Sequence, residues 1–329
     1  MTVKPRRVGT ALLASVAAAS LSAALLYGQS PRPGRTLPTA PPGDLHGTWN
    51  YSSLTPLERP AEFAGRPTMS LEEGAQYERQ VIERNNADRR DGPVAADVAR
   101  AYNEGWYDRG THVAVVNGLA RTSLVVEPAD GRVPALTPEA QRRQDLRAQQ
   151  RRDHPADGPE DRSLGERCMG FNAGPPMLPG PYNNYMQIFQ FADHVVIYNE
   201  MIHDARIVPT DGRPRVSSAV RRYLGDPVGH WEGGTLVVDS INFTAKTGFR
   251  GASDQLHLVE RFTRTDAKTL LYEFTVDDRS SFTKPWAVKL PMKATEEQVF
   301  EYACHEGNHA MVGILGGARY EERQGAKRP

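Results

Sequence analysis

Hydrophobic and polar positions alternate along this chain in short runs separated by turn residues. Residues 256–264 and 269–277 alternate with a period of two and flank Asp266-Ala267-Lys268, as half-buried strands joined by a tight turn do. His230-Trp231-Glu232 and residues 235–241 flank Gly233-Gly234, a two-residue hairpin signal. Residues 186–190 and 194–201 flank Phe191-Ala192-Asp193, and 204–208 lead to a turn at Asp211-Gly212. Residues 286–291 and 298–304 read as a last pair, Gly47-Thr48-Trp49-Asn50-Tyr51 as a first short strand, and 121–127 as a β-rich run before the turn Pro128-Ala129-Asp130-Gly131. Successive hairpins predict a mainly β fold: an antiparallel meander or barrel, closed or nearly closed so that few edges remain exposed. No β-α-β alternation, phosphate-binding glycine loop or internal repeat interrupts this pattern.

Helical signals fall in two insertions, at about 70–106 and 137–152, and at the C-terminus. Ser70-Leu71-Glu72-Glu73 is a capping box opening a helix to about Arg84. Pro93 opens a second, through Val94, Val98 and Tyr102 towards Trp106. Thr137-Pro138-Glu139 starts a third, which runs to about Arg151 with one Leu and no apolar stripe. It reads as a solvated helix or a partly disordered excursion. A short fourth is expected over 217–224, stopped by Gly225. A short closing helix over 310–319 is weakened by Gly313, Gly316 and Gly317.

The first 28 residues change the compartment. Lys4, Arg6 and Arg7 precede an uncharged Ala/Leu/Ser-rich stretch over 8–28, the arrangement of an export signal. The stretch approaches membrane-spanning length, so a retained N-terminal anchor stands beside a cleaved signal peptide. Residues 29–43 are Pro-rich and polar, a linker. One β-rich domain is expected over 44–322, with a tail at 323–329. A periplasmic or secreted location follows. The first 28 residues hold three basic groups and no acidic one in a chain of net charge zero, so the remainder carries about −3. That is no footprint for nucleic acid, and nothing beyond the N-terminal segment points to a membrane. Cys168 and Cys304 are the only cysteines. In an exported chain an even pair favours a disulfide bond over two buried thiols.

Strand periodicity also groups the polar residues. His257, Val259 and Arg261 share one face, opposite Leu256, Leu258, Glu260 and Phe262. Asp204 and Arg206 share a face. Glu273, Thr275 and Asp277 oppose Tyr272, Phe274 and Val276. In 300–306, Glu301, Ala303 and His305 oppose Phe300, Tyr302, Cys304 and Glu306. Such a polar face is either solvated or lines a barrel lumen. In the lumen reading His257, Arg261, Asp204, Arg206 and Glu273 surround an anionic or polyhydroxylated ligand. Their charges are then paired or hydrated, because unpaired buried charge is costly.

His305-Glu306-Gly307-Asn308-His309 spells H-E-x-x-H. In zinc hydrolases that pattern places two His one helical turn apart, with the Glu beside a metal-bound water. Here Gly307 and Asn308 are poor helix formers, and only Glu321 and Glu322 follow as acidic third ligands. No metal or other cofactor is therefore expected.

Gly229-His230-Trp231-Glu232-Gly233-Gly234-Thr235-Leu236-Val237-Val238-Asp239, Glu260-Arg261-Phe262 and Cys304-His305-Glu306-Gly307-Asn308 resemble the motifs of a family of exported bacterial proteins known mainly as hypothetical proteins. The resemblance runs from about Gly47 to Glu322 and implies no activity. Members often carry an aromatic residue at the position of His309, which weighs further against zinc. Gly47-Thr48-Trp49 is similar to the G-x-W opening of lipocalins, in which the Trp plugs the barrel floor.

Two functions remain open. The first is an exported binding protein that holds a small polar or anionic ligand in a barrel pocket, with Arg261, His203, Glu273 and Glu306 as contacts. The loop over 168–185, carrying Phe171, Met177, Leu178, Pro179 and Tyr182, would be its lid or a packed plug. The alternative is a cofactor-free or metal-assisted lyase, isomerase or hydrolase, with His257, His305, Asp204, Arg206 and Glu260 as its catalytic candidates. Imidazole titrates near neutrality and suits a general base.

Overall fold

Strands alternate with loops in a computed structural model that describes residues 43–95, 103–170, 174–246 and 249–325. The segments expected as signal and linker lie outside the described residues, apart from Gly43. In chain order the elements are β1 (Gly47–Asn50), β2 (Thr68–Met69), α1 (Leu71–Asn85), β3 (Val115–Val116), β4 (Leu119–Arg121) and β5 (Val125–Glu127). There follow α2 (Pro138–Asp153), β6 (Tyr185–Gln190), β7 (His194–Asn199), β8 (Ala205–Pro209), β9 (Asp226–Glu232) and β10 (Thr235–Ile241). The last are β11 (His257–Asp266), β12 (Thr269–Asp277), β13 (Trp286–Ala294) and α3 (His309–Gly325).

The main sheet is antiparallel, with strand order β8-β7-β6-β1-β13-β12-β11-β10-β9, and β5 adds a short pairing to β13. It is a nearly closed, barrel-like sheet of the lipocalin-like kind, made of two meanders joined through β1. Its ends, β8 and β9, meet side by side. Gly229 on β9 makes that possible: a Cβ there would lie 2.8 Å from Val208 Cγ1. The helical insertions enter between β1 and β6, at the end of the barrel where β1, β7 and β10 finish.

The barrel interior is a packed core. Trp49, Trp286, Phe262, Phe274, Leu258 and Leu290 are each at most 1 % exposed. Burial at every second position of β11, β12 and β13 confirms the period of two, but the buried set is the apolar one. Of the residues expected to line a lumen, His257, Arg261 and Glu273 are instead on the outer surface, whereas Arg206 is buried. The outer surface carries cross-strand ion pairs: Arg261 Nη2 to Glu232 at 2.9 Å and Lys289 Nζ to Glu273 at 2.7 Å. Opposite charges on neighbouring strands stabilise a solvated face modestly.

Helix α1 starts at the predicted capping box: Ser70 Oγ accepts from Glu73 N, and Glu73 Oε2 accepts from Ser70 N. Helix α2 starts where Thr137 Oγ1 accepts from Ala140 N. Residues 96–102 of the helix expected from Pro93 lie outside the described residues, and Glu104–Trp106 form a 3-10 turn. Residues 217–224 form no helix, because tertiary partners take the backbone: Val216 N donates to Asp226 Oδ2, and Arg222 N to Asn242 O. Residues 298–304 form no strand either. β13 already pairs with β1, β12 and β5, so no edge is left for them. They run as extended coil to α3, which is longer than the helix expected at 310–319.

This C-terminal segment is fastened by a Cys168–Cys304 disulfide with Cα atoms 5.7 Å apart. The bond is compatible with an oxidising compartment. No described helix is long and apolar enough to cross a membrane. The segment also docks on Glu200, which is 2 % exposed: Oε1 accepts from Phe300 N at 3.0 Å, and Oε2 has no hydrogen-bond partner among the described residues. Burial pushes the Glu200 carboxyl up from its ordinary value. Burial also raises Asp108, and the charge of Glu200 adds to that shift. A carboxyl with a raised folded-state pKa stabilises the fold fully below its ordinary pKa, and that contribution is lost as pH rises through the raised value. Thermal melts from pH 7 down to about pH 4 should therefore show wild type gaining stability relative to Glu200→Gln. A pH-independent difference between the two would count against this.

Candidate functional site

One polar network lies inside the barrel. Arg206 on β8 is 6 % exposed and Glu260 on β11 is fully buried. They form a bidentate pair, Nη1 to Oε2 at 2.5 Å and Nη2 to Oε1 at 3.0 Å. Tyr272 Oη on β12 donates to Glu260 Oε1 at 2.8 Å and accepts from Met177 N at 3.1 Å. Burial opposes the Arg206 charge, but the Glu260 carboxylate outweighs it and holds the guanidinium above its ordinary pKa. Burial, followed by the Glu260 charge, pushes Tyr272 well up. The network is fixed and satisfied, and its geometry fits a structural clamp whose guanidinium borders a cavity.

That cavity has a volume of about 20 Å³ and is lined by Asn199, Ile202, Asp204, Arg206, Gly170, Gly174, Pro175 and Leu224. Asn199 ends β7, Asp204 precedes β8, and Asn199 N donates to Asp204 O at 2.9 Å. The short link between them carries Ile202 at φ 67° and His203 at φ 44°. Positive φ is costly for a β-branched residue and persists only where packing over-determines it. Here Met201 and Ile202 pack on Tyr182, Tyr302 and Cys304, and His203 Nδ1 donates to Tyr302 O at 2.5 Å.

Gly170, Gly174, Pro175 and Leu224 also belong to the wall of an adjoining cleft of about 710 Å³. α2, residues 160–170, 174–178 and 223–224, and Lys246, Phe249 and Arg250 contribute to its wall. Arg147, Arg151, Arg162, Arg167, Lys246 and Arg250 line the cleft, against Glu160 and Asp161. Arg162 pairs with Glu166 at 2.5 Å, Arg167 with Glu160 at 3.9 Å and Arg250 with Glu58 at 3.8 Å. Arg147 Nη2 donates to Ala245 O at 2.9 Å. Arg151 and Lys246 form no ion pair among the described residues. The expected lid is part of this structure, but it is a plug: Met177 is fully buried in the core, while Phe171 lies outside the described residues.

The predicted site residues divide. Arg206 and Glu260 come together, and Asp204 joins Arg206 at the cavity. His257 sits on the outer face, its side chain 44 % exposed, with Nε2 donating to Asp239 Oδ2 at 2.8 Å. Asp239 is held in turn by Arg215. Arg261 and Glu273 are on the same outer face. His203 and His305 have ring centroids 6.4 Å apart beside the disulfide, and His305 and Glu306 are exposed. So His257 and His305 do not share a concave pocket, which removes the catalytic arrangement built on them. His305, Glu306 and Gly307 lie in a turn and His309 opens α3, so the H-E-x-x-H residues do not share a helical face. Among the described residues no three His, Cys, Asp or Glu side chains converge as a metal site.

Sequence reasoning missed Asn199, Tyr272 and the cationic cleft. The legible signal was the spacing of Arg143, Arg147 and Arg151, four residues apart on one face of α2. Compared with family models, curated proteins and solved structures, the chain matches none.

Proposed function

We propose that this chain is an exported binding protein for a small anionic ligand, held in the basic cleft at the mouth of the barrel. The observation that supports this reading is a cleft of about 710 Å³ in which Arg151 and Lys246 form no ion pair among the described residues, while Arg162, Arg167 and Arg250 do. A pocket of this size suits a small molecule, and unpaired guanidinium and ammonium groups suit an oxyanion. The basic leader, the disulfide and the motif resemblance to exported bacterial proteins support the location.

Calorimetric titration with inorganic phosphate, sulfate and citrate tests the reading. Citrate, with the most charge, should bind best. Arg151→Gln with Lys246→Gln should weaken it about ten-fold or more, or about 1.4 kcal/mol. The outer-face variant Lys289→Gln should leave it unchanged. Absence of binding, or an unaltered affinity in the double variant, would overturn the proposal.

A further inference from the structure

We infer that the cleft's ligand is bipolar: an anion whose far end carries a hydroxyl or ammonium group, read in the inner cavity by Asn199 and Asp204. This rests on the proposed anion-binding cleft and assigns its specificity.

The cavity and the cleft share four wall residues, so they adjoin. At about 20 Å³ the cavity holds one water-sized group. Asn199 is 7 % exposed, lines the cavity, and its Oδ1 has no hydrogen-bond partner among the described residues. A buried acceptor left unmade is costly, and no described residue supplies its partner. Asp204, the second polar group there, is also an acceptor when ionised. Arg206, the one cation among the described wall residues, already has both Nη groups on Glu260.

Two acceptors beside a guanidinium whose charge Glu260 already meets favour a donor. A hydroxyl donates to Asn199 Oδ1 or to Asp204, and an ammonium reaches both. A carboxylate or phosphate at this end would face Asp204 and leave Asn199 Oδ1 unpaired. The polarity of the whole site is thus ordered, with cations outside and acceptors inside. The Ile202–His203 link, held by Tyr302 and the Cys304 segment, fixes the spacing of the two acceptors.

Matched analogues test this: propyl phosphate, 3-hydroxypropyl phosphate and 3-aminopropyl phosphate, each titrated into the full chain. The hydroxyl and amino compounds should bind about ten-fold or more tighter than propyl phosphate, because only they satisfy the buried acceptors. Asn199→Leu should reduce the hydroxyl preference while leaving propyl phosphate within about two-fold of wild type. Asp204→Asn, which keeps size and solubility, should selectively reduce the amino preference. Arg151→Gln with Lys246→Gln should weaken all three compounds and preserve their ratios. Equal affinities for the three, or preferences that survive both Asn199→Leu and Asp204→Asn, would overturn the bipolar ligand alone. If no phosphate binds, the cleft reading falls as well.

Discussion

Glu260→Leu should cost the fold about 3–5 kcal/mol, the range for removing one partner of a buried ion pair. The loss comes from what remains. Arg206, 6 % exposed, would keep its charge inside a packed barrel with no carboxylate to meet it. Tyr272 Oη would lose its acceptor as well. Arg206→Met should cost a similar amount, since it strands the carboxylate. The double variant Arg206→Met/Glu260→Leu should recover most of either loss, because apolar pairs of similar volume often replace buried salt bridges without penalty. Urea unfolding of the three variants measures this as a coupling energy. If the single variants cost less than about 1 kcal/mol, or the double costs their sum, the pair is not the clamp described above.

Removing the disulfide should have an effect of similar size. Cys168 and Cys304 are 136 residues apart. The chain-entropy account assigns a loop of that length about 4–5 kcal/mol, though with a contested origin. Cys168→Ala/Cys304→Ala should lower the melting temperature accordingly. The bond also holds the 160–170 strap, where Asn308 Nδ2 donates to Glu166 O at 2.8 Å. Amide exchange should therefore accelerate first in 160–170 and 298–325, before the barrel strands. An unchanged melting temperature would show that docking through Glu200 and Asn308 suffices without the bond.

The barrel itself was legible because alternation and turn residues are local signals. Gly233-Gly234 does join β9 to β10, and Asp266–Thr269 does turn β11 into β12. Which face turned inward was left open by the alternation alone. A polar stripe looks the same on a wet lumen as on an outer wall, and only the supply of large apolar side chains decides. Trp49, Trp286, Phe262 and Phe274 fill this interior, which leaves no lumen. Glu260 was visible as an anomaly, a carboxylate between Leu258 and Phe262, and a buried polar residue is the informative kind. Its partner was not visible, since Arg206 lies 54 residues away. The 298–304 run alternates well enough, yet strand formation needs a vacant neighbour. The cleft escaped for a related reason. α2 has no apolar stripe, so it read as a solvated excursion, whereas its arginines face a wall contributed by three distant segments.

The meeting of β8 and β9 has a further consequence. Each is hydrogen-bonded on one side only, and both run the same way along the barrel, packed through Val208 over Gly229. Among the described residues no ladder joins the two edges, which are held at the junction by side chains. Such edges are templates for strand addition from another chain. The junction is the natural line along which this barrel would self-associate when partly unfolded, and Arg206, anchored on β11, is the side chain that keeps β8 from peeling away.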